Sequence, residues 1–293
     1  FDTLIIGGAV MGSSAAYWLS ENTDYDANIA VIEPDPTYAR SSTALSEASI
    51  RHQFSQPVNI KLSMFATEFF SNFHTHVQVN GEAPELPFHE TGYLFLATAD
   101  GMENLTANHE VQKKCGAEVV LLSPSEIKER FPYMNTDDLE CGSLGTRNEG
   151  TLDAFSLMQG LKLRARHNGV EYLHNRVVSI KVDKNKGLVK EVKLDSGETI
   201  SCSRVINCAG PRSKWIAEMV GLELPVEPRI RAAFVFDCRE ELKGQTLPLT
   251  IDPSGVHVRT DPPNFLAGAP PANDSEVDPY DFEVRSEEWE ENI

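Results

Sequence analysis

A glycine-rich turn near the start of the chain has the spacing of a phosphate-binding loop. An apolar run from Thr3 to Ile6 leads into GGAVMG, from Gly7 to Gly12, and apolar residues then recur at helical spacing. In such a strand–turn–helix unit the first glycine makes the turn, the second admits the pyrophosphate, and the third lets the helix pack on the strand. Gly7 and Gly12 fit the first and third roles, but Ala9 holds the middle position. The residues predicted to bind a dinucleotide here are Gly7, Gly8, Ala9, Met11 and Gly12.

A carboxylate follows the next predicted strand at the distance that this kind of site requires. The run from Asn28 to Ile32 reads as a second parallel strand, and Glu33 closes it. An acidic residue about 20 positions after the glycine turn accepts hydrogen bonds from ribose hydroxyls and repels a 2′-phosphate. Glu33 therefore predicts a ligand without that phosphate. The alternative is a βαβ unit whose glycines serve packing alone.

A hydroxyl-rich segment, Arg40, Ser41, Ser42 and Thr43, reads as a helix start whose free N–H groups suit a phosphate. Simple helix capping is a compatible explanation for the serines. The nucleotide-fold pattern resumes much later, as a predicted helix, a strand, three further β-strands in a meander, a buried strand that ends in small residues, and a second helix. Their predicted bounds are 153–167 for the helix, 170–173, 176–182, 188–194, 199–203 and 205–210 for strands, and 213–220 for a second helix. A meander within the sheet connection is typical of FAD-binding domains and not of NAD dehydrogenases. We therefore add Val178, Ala209 and Gly210 to the predicted FAD contacts.

Several segments together resemble one protein family. They are residues 7–12, 40–43, TGYLFL at 91–96, SPSEI at 123–127, EGTLD at 149–153, NCAGP at 207–211 and LPVEPR at 224–229. They resemble the D-amino-acid oxidase superfamily of FAD-dependent oxidoreductases, which includes sarcosine oxidase and dimethylglycine dehydrogenase. The resemblance runs along the whole chain. It implies FAD as the cofactor and two domains that alternate along the sequence.

The elements that must position these residues fall into two predicted domains of an α/β protein. A Rossmann-like FAD-binding domain with a β-meander takes residues 1–79 and 148–222. An α+β substrate domain built on a mixed sheet takes 80–147 and 223–293, with strands at 93–98, 229–237, 256–259 and 264–267. Clefts between domains are common ligand sites, so we expect the active site where the two domains meet.

The resemblance implies oxidation of a C–N bond, by hydride transfer from the carbon beside an amine to flavin N5. An amino acid or N-methylated amine brings a carboxylate, which an arginine in a dry pocket can bind with two hydrogen bonds. The predicted catalytic residues are Arg51, His52 and Arg231, while Arg229, Arg259 and His257 are further candidates. For Arg51 the alternative is an ion pair at the surface or between domains. For Arg229 and Arg231, predicted on one face of a strand, it is an exposed face.

At three positions the sequence differs from better-known members of the superfamily, so the residue roles known from those members do not transfer there. Ala44 and Ala48 stand where sarcosine oxidase has a histidine and an arginine, and Leu45 stands where dimethylglycine dehydrogenase attaches its flavin. The predicted strand at 264–267 lacks the lysine with which sarcosine oxidase activates oxygen. We therefore expect non-covalent FAD and a dehydrogenase that passes electrons to a protein or quinone. The alternative function is an FAD-binding assembly factor for a respiratory complex, without turnover of a small amine, and a weaker one is oxidation of a 2-hydroxy acid.

Composition excludes several other classes of function. The 293 residues carry 26 Lys and Arg against 44 Asp and Glu, a net charge of −18, which opposes binding to nucleic acid or anionic lipid. The sequence has no apolar run of the roughly 18 residues that a membrane span needs. Five scattered cysteines and one H-x-H pair predict free thiols in a reducing compartment and no metal site. We expect a bacterial cytoplasmic protein or, alternatively, one of the mitochondrial matrix.

The chain also has features of a fragment. It begins inside an apolar strand, and its acidic run from Asp274 to Glu291 reads as the first helix of a segment that continues further. The glycine-rich strand and helix with which the superfamily closes its FAD sheet are not recognisable after Gly268. We therefore expect this piece to retain FAD less well than the intact protein.

Overall fold

The computed structural model describes residues 1–183, 185–239, 242, 246–283, 286–287 and 289. Within these residues the chain forms seven α-helices and seventeen strands. The helices are α1 (Val10–Glu21), α2 (Pro57–Ser71), α3 (Phe73–Val77), α4 (Ala99–Lys114), α5 (Pro124–Arg130), α6 (Ala154–His167) and α7 (Ser213–Glu218). Among the described helices, none has both the length and the apolar character needed to cross a membrane.

A four-stranded parallel sheet forms the first half of the fold. Its strands, in spatial order, are β13 (Arg204–Asn207), β1 (Thr3–Ile6), β2 (Ile29–Glu33) and β9 (Glu171–His174). All four residues of β1 are buried, which a parallel sheet covered on both faces requires. Helices α1 and α6 cover one face, where Ala16 and Ala165 pack against Ile5. The sheet therefore presents the ends of β1 and β2 at one edge, beside the start of α1.

The predicted β-meander covers the other face of this sheet. It consists of β10 (Val177–Asp183), β11 (Leu188–Leu194) and β12 (Thr199–Ser201), joined in antiparallel order. Val177, Ile180 and Val192 are buried against Leu4 and Ile32 of the parallel sheet. Each such buried aliphatic side chain contributes about 1.5–3 kcal/mol through the hydrophobic effect. The meander is thus held beside the carboxyl end of β2.

A seven-stranded mixed sheet forms the second half. Its spatial order is β14 (Ala233–Phe236), β17 (Asn264–Gly268), β16 (His257–Asp261), β15 (Leu249–Ile251), β5 (Tyr93–Ala97), β7 (Cys141–Gly145) and β6 (Val119–Leu122). A small sheet, β3 (Ser49–Ile50), β8 (Gly150–Leu152) and β4 (Phe88–His89), links the two halves. The mixed α/β class predicted from the sequence is confirmed. The assignment of residues to two domains stays a prediction.

Three predicted elements differ from the structure. Residues 40–46 form turns and not a helix, because hydroxyl groups such as that of Ser41 accept hydrogen bonds from local backbone N–H groups, here that of Ala44 at 3.1 Å. The strand predicted at 229–237 begins only at Ala233, since Arg229 and Arg231 engage Asp274 in place of a neighbouring strand. The acidic helix predicted at 274–291 is wrong over residues 274–283, which form turns and irregular backbone, whereas residues 284–285, 288 and 290–291 lie outside the described residues.

Candidate functional site

The glycine turn is packed too closely for side chains at two of its positions. Gly7 has a φ of +96°, and a Cβ there would overlap the carbonyl oxygen of Cys208. A Cβ on Gly12 would overlap the carbonyl oxygen of Gly7. At Gly8 a Cβ would lie 3.2 Å from the Tyr38 hydroxyl, a contact that is tight but not an overlap. The turn therefore needs glycine at positions 7 and 12, which are two of the three glycine positions of the fingerprint.

The start of α1 offers backbone N–H groups to a phosphate. Ala9 is the N-cap, and its methyl side chain cannot accept a hydrogen bond from the first turn. Thr43 reaches this end from the hydroxyl-rich turn, and its Oγ1 accepts a hydrogen bond from the Val10 N–H at 3.1 Å. The side chain of Met11 is exposed at the same end. Because the positive end of the helix dipole lies here, this end of α1 attracts an anion.

Glu33 lies beside the same turn. Its Oε2 accepts a hydrogen bond from the Gly8 N–H at 2.8 Å, and its Oε1 accepts one from the Asp35 N–H at 2.9 Å. The backbone N–H of Asn175 donates to the Glu33 carbonyl at 3.1 Å and brings the start of the meander to this point. Val178, on β10 of the meander, is exposed. Glu33 is thus held rigidly beside the turn.

Two residues of this region were missed by sequence reasoning. Tyr38 is buried with a φ of +59°, and its hydroxyl accepts a hydrogen bond from the Lys162 Nζ at 2.9 Å. Burial lowers the pKa of Lys162, with a further contribution from Arg166. Lys162 also lies 5.1 Å from the ring centre of Tyr172. No sequence motif marks this cluster, because its members come together only through the packing of α6 against β2 and β9.

The remaining predicted cofactor residues lie around the turn. Ala209 and Gly210 follow β13, where the Cys208 N–H donates to the Ile6 carbonyl at 2.8 Å. The guanidinium of Arg40 lies 5.3 Å from the ring centre of Phe282, which arrives from the acidic end of the chain. The tight turn that Gly7 and Gly12 allow, the open helix end and the fixed carboxylate of Glu33 fit a dinucleotide.

A second cluster forms where the segment after β3 crosses the seven-stranded sheet. Arg51 donates from Nη1 to the Tyr93 hydroxyl at 3.0 Å, and its guanidinium lies 4.6 Å and 5.6 Å from the ring centres of Phe54 and Phe95. Its Nε is buried and has no hydrogen-bond partner among the residues that the structure describes. Burial raises the pKa of Tyr93, and Arg51 opposes this shift. A guanidinium against an aromatic wall with an unused donor suits a carboxylate ligand.

The side chain of His52 points away from this cluster. Its ring is buried, and its Nε2 lies 3.1 Å from the Thr67 hydroxyl on α2. Burial lowers the pKa of His52. Consecutive residues of an extended segment point to opposite sides, so Arg51 faces the sheet while His52 faces the helix. The structure does not bring the ring of His52 together with Arg51.

His257 and Glu47 form a contact between the seven-stranded sheet and the segment just before β3. His257 Nε2 and Glu47 Oε1 are 2.9 Å apart. His257 pairs with Ile251, and Ile251 pairs with Phe95, so these side chains share the face that Arg51 covers. The hydrogen bond with Glu47 raises the pKa of His257, although burial opposes it. The pair therefore joins the residue that follows the turn at 40–46 to the sheet.

We expect this contact to stabilise the fold more at low pH than at high pH. Because the folded pKa of His257 is raised, the stabilisation is complete below the unfolded value of about 6.5 and is lost as pH rises through the folded pKa. A His257→Gln variant should lose about 1 kcal/mol at pH 6, a melting temperature about 2 °C lower, and progressively less at higher pH. Thermal unfolding between pH 6 and pH 9 measures the difference.

His174→Gln is the matched control, since His174 Nε2 meets a backbone carbonyl, that of Pro34, and not a carboxylate. A stability deficit of His257→Gln that stays constant with pH would contradict the expected ion pair.

The other arginine candidates are placed less favourably. Arg231 lies outside β14 and is exposed, and its Nη1 and Nη2 donate to the two Asp274 carboxylate oxygens at 2.7 Å and 2.9 Å. Arg229 bonds the backbone of the same Asp274 and the carboxylate of Glu227. Arg259 is buried, and its Nε, like that of Arg51, has no hydrogen-bond partner among the described residues, but its Nη1 is engaged by the carboxylate of Asp261 at 2.7 Å and not by a neutral hydroxyl. Of the four candidates, Arg51 has the surroundings that a substrate carboxylate requires.

The chain is similar to several known proteins. The family model described as FAD dependent oxidoreductase (DAO) matches residues 2–292. The FAD-dependent oxidoreductase domain-containing protein 1 of Xenopus laevis is 35% identical, over 100% of this chain and 65% of its own length. The sarcosine oxidase subunit beta of Rhizobium meliloti is 24% identical, over 80% of this chain and 55% of its own. The crystal structure of L-proline dehydrogenase from P. horikoshii aligns with a TM-score of 0.82, 23% identity and coverage of 99% and 74%.

These matches also show how much of its relatives' length the chain spans and which organisms the relatives come from. The chain spans slightly less than two thirds of the length of the Xenopus relative. Four relatives between 32% and 35% identical are animal proteins, so the expected bacterial origin is not supported. Location in the mitochondrial matrix stays a prediction.

Proposed function

The chain belongs to the DAO family of FAD-dependent oxidoreductases, and we propose that it oxidises the C–N bond of an amino acid or N-methylated amine. The observation that carries this proposal is Arg51, a partly buried guanidinium with an unused donor against an aromatic wall. Names of relatives and neighbours support the substrate class, since sarcosine oxidase and L-proline dehydrogenase both act on amino acids with a secondary amine.

In this proposal each half of the protein has its own task. When bound, FAD supplies the acceptor for the hydride that leaves the substrate carbon. The glycine turn, the start of α1 and Glu33 would hold its dinucleotide. Arg51 would bind the substrate carboxylate, while Phe54, Tyr93 and Phe95 exclude water from the charge pair and so strengthen it. Binding at Arg51 fixes the orientation of the amine-bearing carbon.

Anaerobic mixing of the FAD-loaded protein with a substrate panel tests the proposal. N-methylated and unmodified amino acids should bleach the oxidised flavin band, whereas their carboxamides, which lack the anion, should do so far more slowly. Bleaching by 2-hydroxy acids alone would replace the proposed substrate class. Later admission of air reports on the acceptor, since slow reoxidation is expected of a dehydrogenase and fast reoxidation of an oxidase.

A second candidate is an FAD-binding assembly factor for a respiratory complex, and an exposed apolar surface favours it. Met11 and Trp18 on α1, with Val58, Leu62 and Phe65 on α2, are all at least 45% exposed, and the rings of Trp18 and Phe65 are 5.9 Å apart. Exposed apolar patches of this kind often mark protein interfaces. A flavin that no member of the panel bleaches, together with loss of a respiratory complex when Trp18→Ser and Phe65→Ser replace the native residues in cells, would favour this function.

A further inference from the structure

Glu149 is a buried carboxyl group directly behind the Arg51 segment. It is 1% exposed and lies in the turn between β7 and β8. Its Oε1 accepts a hydrogen bond from the backbone N–H of His52 at 2.7 Å, and its Oε2 accepts one from Gln53 Nε2 at 2.8 Å. The two residues that follow Arg51 are therefore fixed by one carboxylate.

The network around Glu149 reaches the seven-stranded sheet. Gln53 Nε2 also donates to the Tyr93 carbonyl at 2.8 Å, and the Ser143 hydroxyl donates to Gln53 Oε1 at 2.7 Å. A Cβ on Gly145 would overlap the Glu149 carboxyl group, so the sheet leaves room for it. Glu149 thus links the segment after β3 to β5 and β7 at the place where Arg51 contacts Tyr93.

The charge of Glu149 acts on the same place. Arg51 favours its ionised form, and Glu149 in turn raises the pKa of the Tyr93 hydroxyl that Arg51 contacts. Burial raises the pKa of Glu149 to about 7, against its hydrogen bonds from Gln53 and His52. The ring of His52 faces α2, and Glu90 lies at the surface, where it accepts a hydrogen bond from the Asn148 N–H. Within the described residues, Glu149 thus interacts with the ionisable side chains of Arg51 and Tyr93, and Glu47, which pairs with His257, also acts on Tyr93.

We propose that Glu149 positions the Arg51 segment and that its protonation state regulates the affinity of Arg51 for a carboxylate. The inference rests on the proposed function, because it takes Arg51 as the substrate anchor. A second carboxylate bound at Arg51 is disfavoured by an ionised Glu149 and not by a neutral one. Binding of a carboxylate therefore weakens as pH rises, and linkage requires that the bound anion in turn favours protonation of Glu149.

Isothermal titration with propionate tests this without turnover, and propionamide serves as the neutral probe. Between about pH 6 and pH 8 the wild-type Kd for propionate should rise by about fivefold or more. At pH 7 propionate binding should take up a fraction of a proton, measured in two buffers of different ionisation enthalpy. Glu149→Gln should bind propionate with a much weaker pH dependence than the wild-type protein and with correspondingly less proton uptake, the remainder being the contribution of His257. Ser143→Ala, which breaks the same network without removing the charge, should keep the uptake.

The outcomes separate the two proposals. If propionate binds no better than propionamide, or binds Arg51→Ala as tightly as wild type, the proposed carboxylate site is wrong. If propionate binding depends on Arg51 but Glu149→Gln keeps the wild-type pH dependence and uptake, the role of Glu149 is wrong. Should Glu149→Gln fail to fold, absence of proton uptake in the wild-type protein at pH 7 would overturn it by itself.

Discussion

A Gly12→Ala variant should lose most of its affinity for FAD. The added Cβ would overlap the carbonyl oxygen of Gly7, a backbone atom that cannot rotate away, so the start of α1 must move from the end of β1. Overpacking of a tight site costs about 1–3 kcal/mol. Because about 1.4 kcal/mol is a factor of ten, the Kd for FAD should rise by roughly 10- to 100-fold. Flavin fluorescence titration of the apoprotein measures it.

Gly101→Ala is the control for this variant. Gly101 lies in the first turn of α4, and a Cβ there would meet only the Cβ of Ala97 at 3.2 Å. It should bind FAD like the wild-type chain. Circular dichroism at the titration temperature checks that Gly12→Ala is folded. A folded Gly12→Ala with the wild-type Kd would mean that the turn does not hold the dinucleotide.

The first half of the fold was predictable because its signals are local. The apolar run of β1, the glycines that follow and the alternating pattern of β11 each specify an element from neighbouring residues. The predicted bounds of these strands lie within one residue of the observed ones. A short βαβ connection sets the parallel pairing of β1 with β2, and a tight turn sets the antiparallel pairing of β10 with β11, whereas β9 and β13 join the sheet from distant parts of the chain.

The second cluster was only partly predictable, because it depends on contacts between distant parts of the chain. Arg51 was predicted from the sequence, but no local pattern identifies Tyr93, 42 positions later, as the acceptor of its hydrogen bond. His52 was predicted to act together with Arg51, although the side chains of consecutive residues in an extended segment point to opposite sides. Arg231 was predicted on a strand face, because no local pattern shows that Asp274, 43 positions later, binds its guanidinium. Glu149 entered the sequence analysis only as part of the EGTLD segment at 149–153. Its burial depends on the fold and could not be predicted from its neighbours in the sequence.

Replacement of Arg51 by alanine should abolish most binding of an anionic substrate. Loss of one member of a desolvated, hydrogen-bonded charge pair costs about 2–5 kcal/mol, so the Kd for a carboxylate should rise by at least about 30-fold. Arg51→Lys should recover only part of this affinity, because an ammonium lacks the planar fork that binds both carboxylate oxygens. Titration with propionate, followed by the same panel of amino acids, measures both variants.

Two controls distinguish carboxylate binding from a general loss of charge or packing. Arg147→Ala removes an arginine that pairs with Glu118 at the surface, so it should leave the Kd unchanged. Tyr93→Phe removes the hydrogen bond to Arg51 but keeps the aromatic wall, so the affinity should fall less than in Arg51→Ala. If Arg51→Ala weakens propionamide as much as propionate, then Arg51 supports the shape of the site and not the charge of its ligand. A selective loss of propionate means that the guanidinium itself binds the anion, which the unused Nε and the surrounding rings predict.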